Sequence, residues 1–325
     1  FSAQMAGVYL LRHFSIEQVE HLARSQSPQT ACELATRRRY PPGYLLPWCL
    51  LTALTDKRAA PLSPASATLL FAAVLGLTMD VDLTPDLSGR TALVTGSAVR
   101  VGRAVLLGLA AAGADVAVHH RSDPTAAAET ANEAAAHDVE TTVLKGDVTD
   151  PTAVDTLFET CEDTLGTVDI LINAVGPLPQ ADWDDLSPTE WQETVAANLY
   201  STYLCTRRAL PAMRDQGWGR VVNFGVADAR DDHALPRNLP YFIAKKGVLT
   251  FTRSVAYDTQ DDGITVNAVS PYAVENTVTD PAAFPRGRPA SFADVLAPIL
   301  FFCSDAAAYL SGQNIAVDGG RLHEA

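Results

Sequence analysis

The spacing of apolar side chains along this chain changes at about residue 90. From Arg90 onward, short apolar runs alternate with stretches in which apolar residues recur every three or four positions, the marks of strands and helices in turn. Thr91–Thr95 reads as a first strand, Arg103–Ala112 as an Ala- and Leu-rich helix stopped by Gly113, and Asp115–His119 as a second strand. Together they form one βαβ unit. Further strands are predicted at Thr141–Leu144, Ile170–Ile172, Val221–Phe224, Ile264–Val269 and Asn314–Val317, with helical stretches such as Pro151–Thr164 and Pro188–Met213 between them. Such alternation builds a parallel sheet covered by helices on both faces. One helix start is written in chemistry: Ser187-Pro188-Thr189-Glu190 sets a capping serine, a proline at the first helical position and a glutamate able to return the bond. The Ala-rich stretch Ala126–Ala136 is expected to be a solvent-facing helix.

Residues 1–78 lack this regularity and change character at Met79-Asp80-Val81-Asp82. They are expected to be a poorly ordered or non-native N-terminal extension, with residues 79–325 the functional domain; a small helical accessory domain or a membrane-proximal anchor are the alternatives. Two apolar runs, Leu45–Thr55 and Ala67–Met79, fall short of the roughly 18–20 residues that a membrane span needs, so no membrane partner is expected.

Charge separates the same two parts. The chain of 325 residues carries 38 acidic and 24 basic side chains, net -14, and only four of the bases are lysines. Residues 1–78 hold 7 basic and 4 acidic residues, leaving 17 and 34, net -17, for residues 79–325. An Asp-rich, Lys-poor surface repels nucleic acid and anionic lipid and resembles the proteins of salt-loving organisms, so folding is expected to need salt. Cys32, Cys49, Cys161, Cys205 and Cys303 lie far apart with no C-x-x-C pair; neither a metal site nor a disulfide framework is indicated, and a reducing, cytoplasmic setting is expected.

The candidate chemistry begins where the first strand runs into Thr95-Gly96-Ser97-Ala98-Val99-Arg100-Val101-Gly102 and then a helix. Two glycines there let backbone approach a pyrophosphate at a helix N-terminus. The second strand ends in His119-His120-Arg121-Ser122, where a carboxylate for the ribose hydroxyls of NAD would otherwise stand. Arg121 instead offers a guanidinium to a 2′-phosphate, with Arg100 near enough to help, so NADP(H) is the expected cofactor. Farther on, Tyr241-x-x-x-Lys245 sets a phenol and an ammonium on one helix face, where the ammonium can lower the phenol's pKa from about 10 and let it exchange a proton with a substrate oxygen.

These pieces, with Gly146-Asp147-Val148, Asn173-Ala174-Val175-Gly176, Asn198 and the closing Ser311-Gly312-Gln313-x-Ile315-x-Val317-Asp318-Gly319-Gly320, resemble the short-chain dehydrogenases/reductases over roughly residues 88–320. The resemblance implies an α/β fold of Rossmann type, a doubly wound parallel sheet, and an oxidoreductase acting on a small-molecule substrate as a homodimer or homotetramer. It implies that Gly96, Ser97, Arg100, Val101 and Gly102 form the cofactor turn. Asp147 would neighbour the adenine, Asn173 would lie beside the cofactor ribose, Lys245 would bond the nicotinamide ribose, and Asn198 would hold a water linking Lys245 to solvent.

The chain departs from the family pattern at one chemically important place. A serine normally stands about a dozen residues before the tyrosine, yet 221–240 contains none, and Asp228 occupies its position. That replacement, together with Arg100 in place of a glycine, is similar to pteridine and dihydromonapterin reductases, where an acid could relay a proton to a ring nitrogen. Asp228 therefore joins Tyr241, Lys245 and Asn198 as a candidate catalytic residue, with a pterin-type substrate expected. The segment 114–122 is equally similar to 3-oxoacyl-[acyl-carrier-protein] reductases, so carbonyl reduction is the alternative. A non-catalytic NADPH-binding sensor is the alternative of another class.

Overall fold

The computed structural model describes residues 85–230, 236–275 and 284–321, all within the compact unit Asp82–Ala325. The expected N-terminal extension, both apolar runs, Cys32 and Cys49 lie outside the described residues.

Seven strands run parallel: β1 Thr91–Thr95, β2 Asp115–His120, β3 Thr141–Lys145, β4 Val168–Asn173, β5 Gly219–Phe224, β6 Ile264–Pro271 and β7 Asn314–Val317. Their order is β3-β2-β1-β4-β5-β6-β7. Chain direction across the sheet thus reverses between β1 and β4, and the crevice beyond the carboxyl ends of these two strands is where a doubly wound sheet binds its ligand. The register pairs Thr95 with Asn173, bringing the glycine turn after β1 beside Ala174-Val175-Gly176.

The helices are α1 Arg100–Ala111, α2 Pro124–Ala135, α3 Pro151–Leu165, α4 Pro188–Val195, α5 Ser201–Gln216, α6 Leu239–Asp258 and α7 Phe292–Cys303. Strand side chains alternate between two cores. Ala92, Val94, Val116, Val118, Ile170 and Ile172 pack on one side with Leu106, Leu109, Ile299 and Phe302 from α1 and α7; Leu93, Ala117 and Leu171 pack on the other with Phe158, Leu204 and Met213 from α3 and α5. Burial of both faces explains why these strands read as unbroken apolar runs.

Two expectations need correction. The stretch predicted as one helix from Pro188 to Met213 is interrupted by a π-turn at Ala196–Tyr200, between α4 and α5. The Ala-rich helix α2 is not merely solvent-facing: Ala127, Thr130, Ala131 and Ala134 are buried. Their small side chains let α2 lie close against β2 and β3, and Thr130 Oγ1 donates to the Ala98 carbonyl at 3.0 Å. The capping box at Ser187 and Glu190 forms as expected.

Candidate active site

The turn leaving β1 is built for close approach. Gly96 has φ +70, and a Cβ on Gly102 would sit 2.4 Å from the Gly96 carbonyl oxygen, so α1 can begin against the turn only with glycine there. Arg100 also has a positive φ of 56, a region that costs a side-chain-bearing residue roughly 1–2 kcal/mol, and its side chain is exposed at the start of α1. Ser97 is fully buried, and Val101 is half-buried. At the end of β2 the exposed Arg121 guanidinium lies 3.7 Å from the Asp147 carboxylate. Hydrogen bonds from the Thr149 amide and hydroxyl hold Asp147 below the usual carboxylate range, so its charge is secure at neutral pH.

Asn173 lies inside the sheet. Its amide nitrogen donates to Thr206 Oγ1 at 3.1 Å and to Asn223 Oδ1 at 2.8 Å, and only 3% of the residue is exposed. Its amide is committed to tying β4 to β5 and α5, so an approach to a ribose at this position falls to the backbone that follows it.

Asn198, Lys245 and Tyr241 converge on the other side of the crevice. The π-turn places Asn198 in full burial, with Nδ2 donating to the carbonyls of Pro177 at 3.0 Å and Thr194 at 2.9 Å. Its Oδ1 is buried and has no hydrogen-bond partner among the described residues. π-turns inside helices are often found at functional sites. Lys245 is buried on α6, and its Nζ donates to the Phe224 carbonyl at 2.8 Å. A Cβ on Gly176 would meet Asn198 Oδ1 at 2.4 Å and Lys245 Nζ at 3.0 Å, so this glycine marks the meeting point of the two groups.

Electrostatically, the pair differs from the expectation. Burial pushes Lys245 down to about 7, and burial followed by the charge of Asp228 pushes the Tyr241 phenol up. With Nζ bonded to a carbonyl and 5.7 Å from the ring centroid, Lys245 does not overcome the cost of desolvating a phenolate. The protein by itself therefore keeps Tyr241 protonated at neutral pH, a state suited to donating a proton.

Asp228 is the second residue of a short 3-10 turn after β5, Ala227–Arg230, and is 8% exposed. Arg321, from the C-terminal segment, brings Nη1 within 3.8 Å of Asp228 Oδ1 and lays its guanidinium 3.8 Å over the ring of Tyr272. Sequence reasoning missed Arg321, whose partner Asp228 lies far away in the chain. It also missed Gly176 as a steric pivot and His119 as a bridge between loops; the doubled histidine at the end of β2 was the available signal. Cys161, Cys205 and Cys303 are buried free thiols pushed up to about 12, too poorly ionised for nucleophilic work. Among the described residues no cluster could hold a metal ion, and no helix is long and apolar enough to cross a membrane.

The glycine cradle, the exposed guanidinium of Arg121 beside Asp147, and the orphaned Asn198 Oδ1 beside Lys245 fit a dinucleotide cofactor. The comparisons with known proteins agree with that architecture. A family model described as enoyl-(acyl carrier protein) reductase matches residues 96–321. A 3-oxoacyl-[acyl-carrier-protein] reductase of Synechocystis is 33% identical over 244 residues, covering 73% of this chain and 98% of the relative. D-beta-hydroxybutyrate dehydrogenase of Rhizobium meliloti is 29% identical, covering 71% and 98%. Among solved structures, the landomycin C-6 ketoreductase LanV with bound NADP and rabelomycin superimposes with a TM-score of 0.67 at 29% identity, covering 73% of this chain and 97% of that one. A short-chain alcohol dehydrogenase of Sinorhizobium meliloti gives 0.68 at 32%, covering 72% and 97%. With a parallel seven-stranded sheet, a glycine turn at its switch point and these relatives along nearly their whole length, the chain belongs to the short-chain dehydrogenase/reductase family of oxidoreductases.

Proposed function

We propose that this protein is an NADPH-dependent reductase of C=N or C=O bonds in which Tyr241 is the proton donor, with a pterin-type nitrogen heterocycle as substrate. The observation that carries the substrate class is Asp228: a nearly buried carboxylate, close enough to push up the Tyr241 phenol, in the position where the family pattern calls for a serine hydroxyl.

NADPH, when bound, supplies the hydride. Gly96, Ser97, Val101 and Gly102 would hold its pyrophosphate, Arg121 and Arg100 its 2′-phosphate, Asp147 its adenine, the backbone after Asn173 and Lys245 its riboses. The LanV ketoreductase, a relative with NADP bound, supports the choice of the phosphorylated cofactor. Tyr241, kept protonated by burial, delivers its proton to the substrate atom that gains negative character as the double bond is reduced. Lys245, poised near neutrality, and Asn198 hold the route by which that proton is replaced. Asp228, steadied by Arg321, accepts a hydrogen bond from an N–H of the heterocycle and so orients its C=N bond toward the single proton that Tyr241 delivers. A ketone has no N–H for such a carboxylate to receive. The homo-oligomeric state and the cytoplasmic setting belong to the same reading by family likeness.

A second reading, reduction of 3-oxoacyl thioesters, is favoured by the names of the Synechocystis protein and other relatives. Both readings are tested by D228S, which restores the family hydroxyl. Turnover of a dihydropterin should fall about a hundredfold or more while a short 3-oxoacyl thioester becomes a better substrate. A wild-type enzyme that reduces only the thioester, with D228A equally active, would remove Asp228 and the pterin class from the account.

A further inference from the structure

Strand β2 ends in two adjacent histidines, and the first ties together two loops that the cofactor reading places along the dinucleotide. His119 is 2% exposed. Its Nδ1 accepts a hydrogen bond from the Gly96 amide at 2.8 Å, and its Nε2 lies 3.1 Å from the Gly146 carbonyl oxygen. These two partners determine the tautomer. A nitrogen that accepts from an amide carries no proton, so the ring proton is on Nε2 and is donated to Gly146. The backbone of His119 is fastened as well: its carbonyl accepts from the Ser97 amide at 3.0 Å, and its amide donates to Ser97 Oγ at 3.0 Å. The Gly146 amide in turn donates to the carbonyl of His120 at 3.2 Å.

We infer that neutral His119 is a positioning residue for the dinucleotide, a strut that sets the spacing between the Gly96 turn and the Gly146-Asp147 loop. The inference rests on the reading of these loops as the cofactor site and deepens it. Gly96 opens the turn proposed to face the pyrophosphate, and Asp147, adjacent to Gly146, is proposed to face the adenine; one imidazole joins their backbones. Its neutrality follows from its setting. Burial dominates and pushes the imidazole down to about 4, the neighbouring His120 acts in the same direction, and the Gly146 carbonyl and Asp147 oppose them without prevailing. The charge of Asp147 is itself partly answered by Arg121. A protonated ring would turn an N–H toward the Gly96 N–H and break the strut.

H119F preserves a flat ring but offers neither acceptor nor donor, whereas H119N can present a carbonyl oxygen toward Gly96 and an amide toward Gly146. With NADPH affinity followed by fluorescence titration at neutral pH, H119F should bind about tenfold to thirtyfold more weakly, the equivalent of two ordinary hydrogen bonds. The loss should fall more on KM for NADPH than on kcat, and H119N should recover most of it. Affinity of H119F equal to wild type, or H119N as weak as H119F, overturns the inference. Should H119F fail to fold, imidazole nitrogen NMR on the wild-type enzyme decides: a neutral Nε2–H tautomer at pH 6 to 7 supports the strut, and a protonated or Nδ1–H ring overturns it. A wild-type enzyme that binds neither NADPH nor NADH removes the cofactor reading itself, an outcome distinct from tight wild-type binding left unchanged by H119F.

Discussion

Gly176→Ala is the smallest change that reaches the centre of the proposed machinery. The new methyl would stand 2.4 Å from Asn198 Oδ1 and 3.0 Å from Lys245 Nζ, whereas non-bonded carbon and oxygen normally keep about 3.3 Å or more. Asn198 is fixed by two hydrogen bonds to carbonyls and Lys245 by one, so relief requires a displacement of roughly 1 Å in groups that have little room to move. A misplacement of that size in a catalytic array can cost on the order of a hundredfold in rate. Gly176 does not have a positive φ, so alanine brings no backbone strain of its own. Without the collision the substitution would stabilise the fold by about 0.4–1 kcal/mol through the unfolded chain. The expected outcome is therefore a fall in kcat of about a hundredfold, little change in NADPH affinity, and a melting temperature no higher than wild type. A variant that melts higher and keeps wild-type kcat would refute the crowding of Asn198 and Lys245 around this glycine.

Three further outcomes follow from the same structure. Lys245, pushed down to about 7 in the folded protein against about 10.5 when unfolded, leaves the unfolded chain holding more protons between these values, so stability rises with pH in that window. Relative to K245M, wild type should gain about 2 kcal/mol between pH 7 and 9 in chemical denaturation, and parallel pH dependences would contradict the buried, easily neutralised amine. R121A should weaken NADPH binding about tenfold and leave NADH binding nearly unchanged, since an exposed guanidinium can distinguish the two only through the 2′-phosphate. Raising KCl from about 0.1 M to about 2 M should raise the melting temperature by screening the net -17 of residues 79–325, and a flat or falling response would remove the halophile-like reading of that surface.

The central strands of the sheet were legible because they are buried on both faces, which makes an apolar run such as Thr91–Thr95. Strand ends were less so. Predicted Ile170–Ile172 extends to Val168–Asn173 because two polar residues are buried there with partners that composition cannot reveal: Asp169 accepts from the Thr91 amide and Arg90, and Asn173 bonds Asn223. The π-turn around Asn198 leaves no periodic mark, since one added residue per turn looks like ordinary irregularity in the apolar pattern. Alanines of α2 read as indifferent to burial until a sheet is placed under them. At the site, the Tyr241-x-x-x-Lys245 spacing became informative only together with the surrounding family motifs. The protonation of these two residues was not legible, because it depends on desolvation and on the Phe224 carbonyl that holds Nζ. His119 and Arg321 escaped notice for a related reason: each acts through a partner distant in sequence, Gly146 for one and Asp228 for the other.

The central claim is that Tyr241 donates the proton while NADPH is consumed, and its most direct test is single-turnover NADPH oxidation by wild type and Y241F, with a dihydropterin and a short 3-oxoacyl thioester each offered as substrate. The account predicts that wild type oxidises NADPH with the dihydropterin, and that Y241F binds NADPH as tightly but turns over at least a hundredfold more slowly. Turnover by Y241F at the wild-type rate would contradict it.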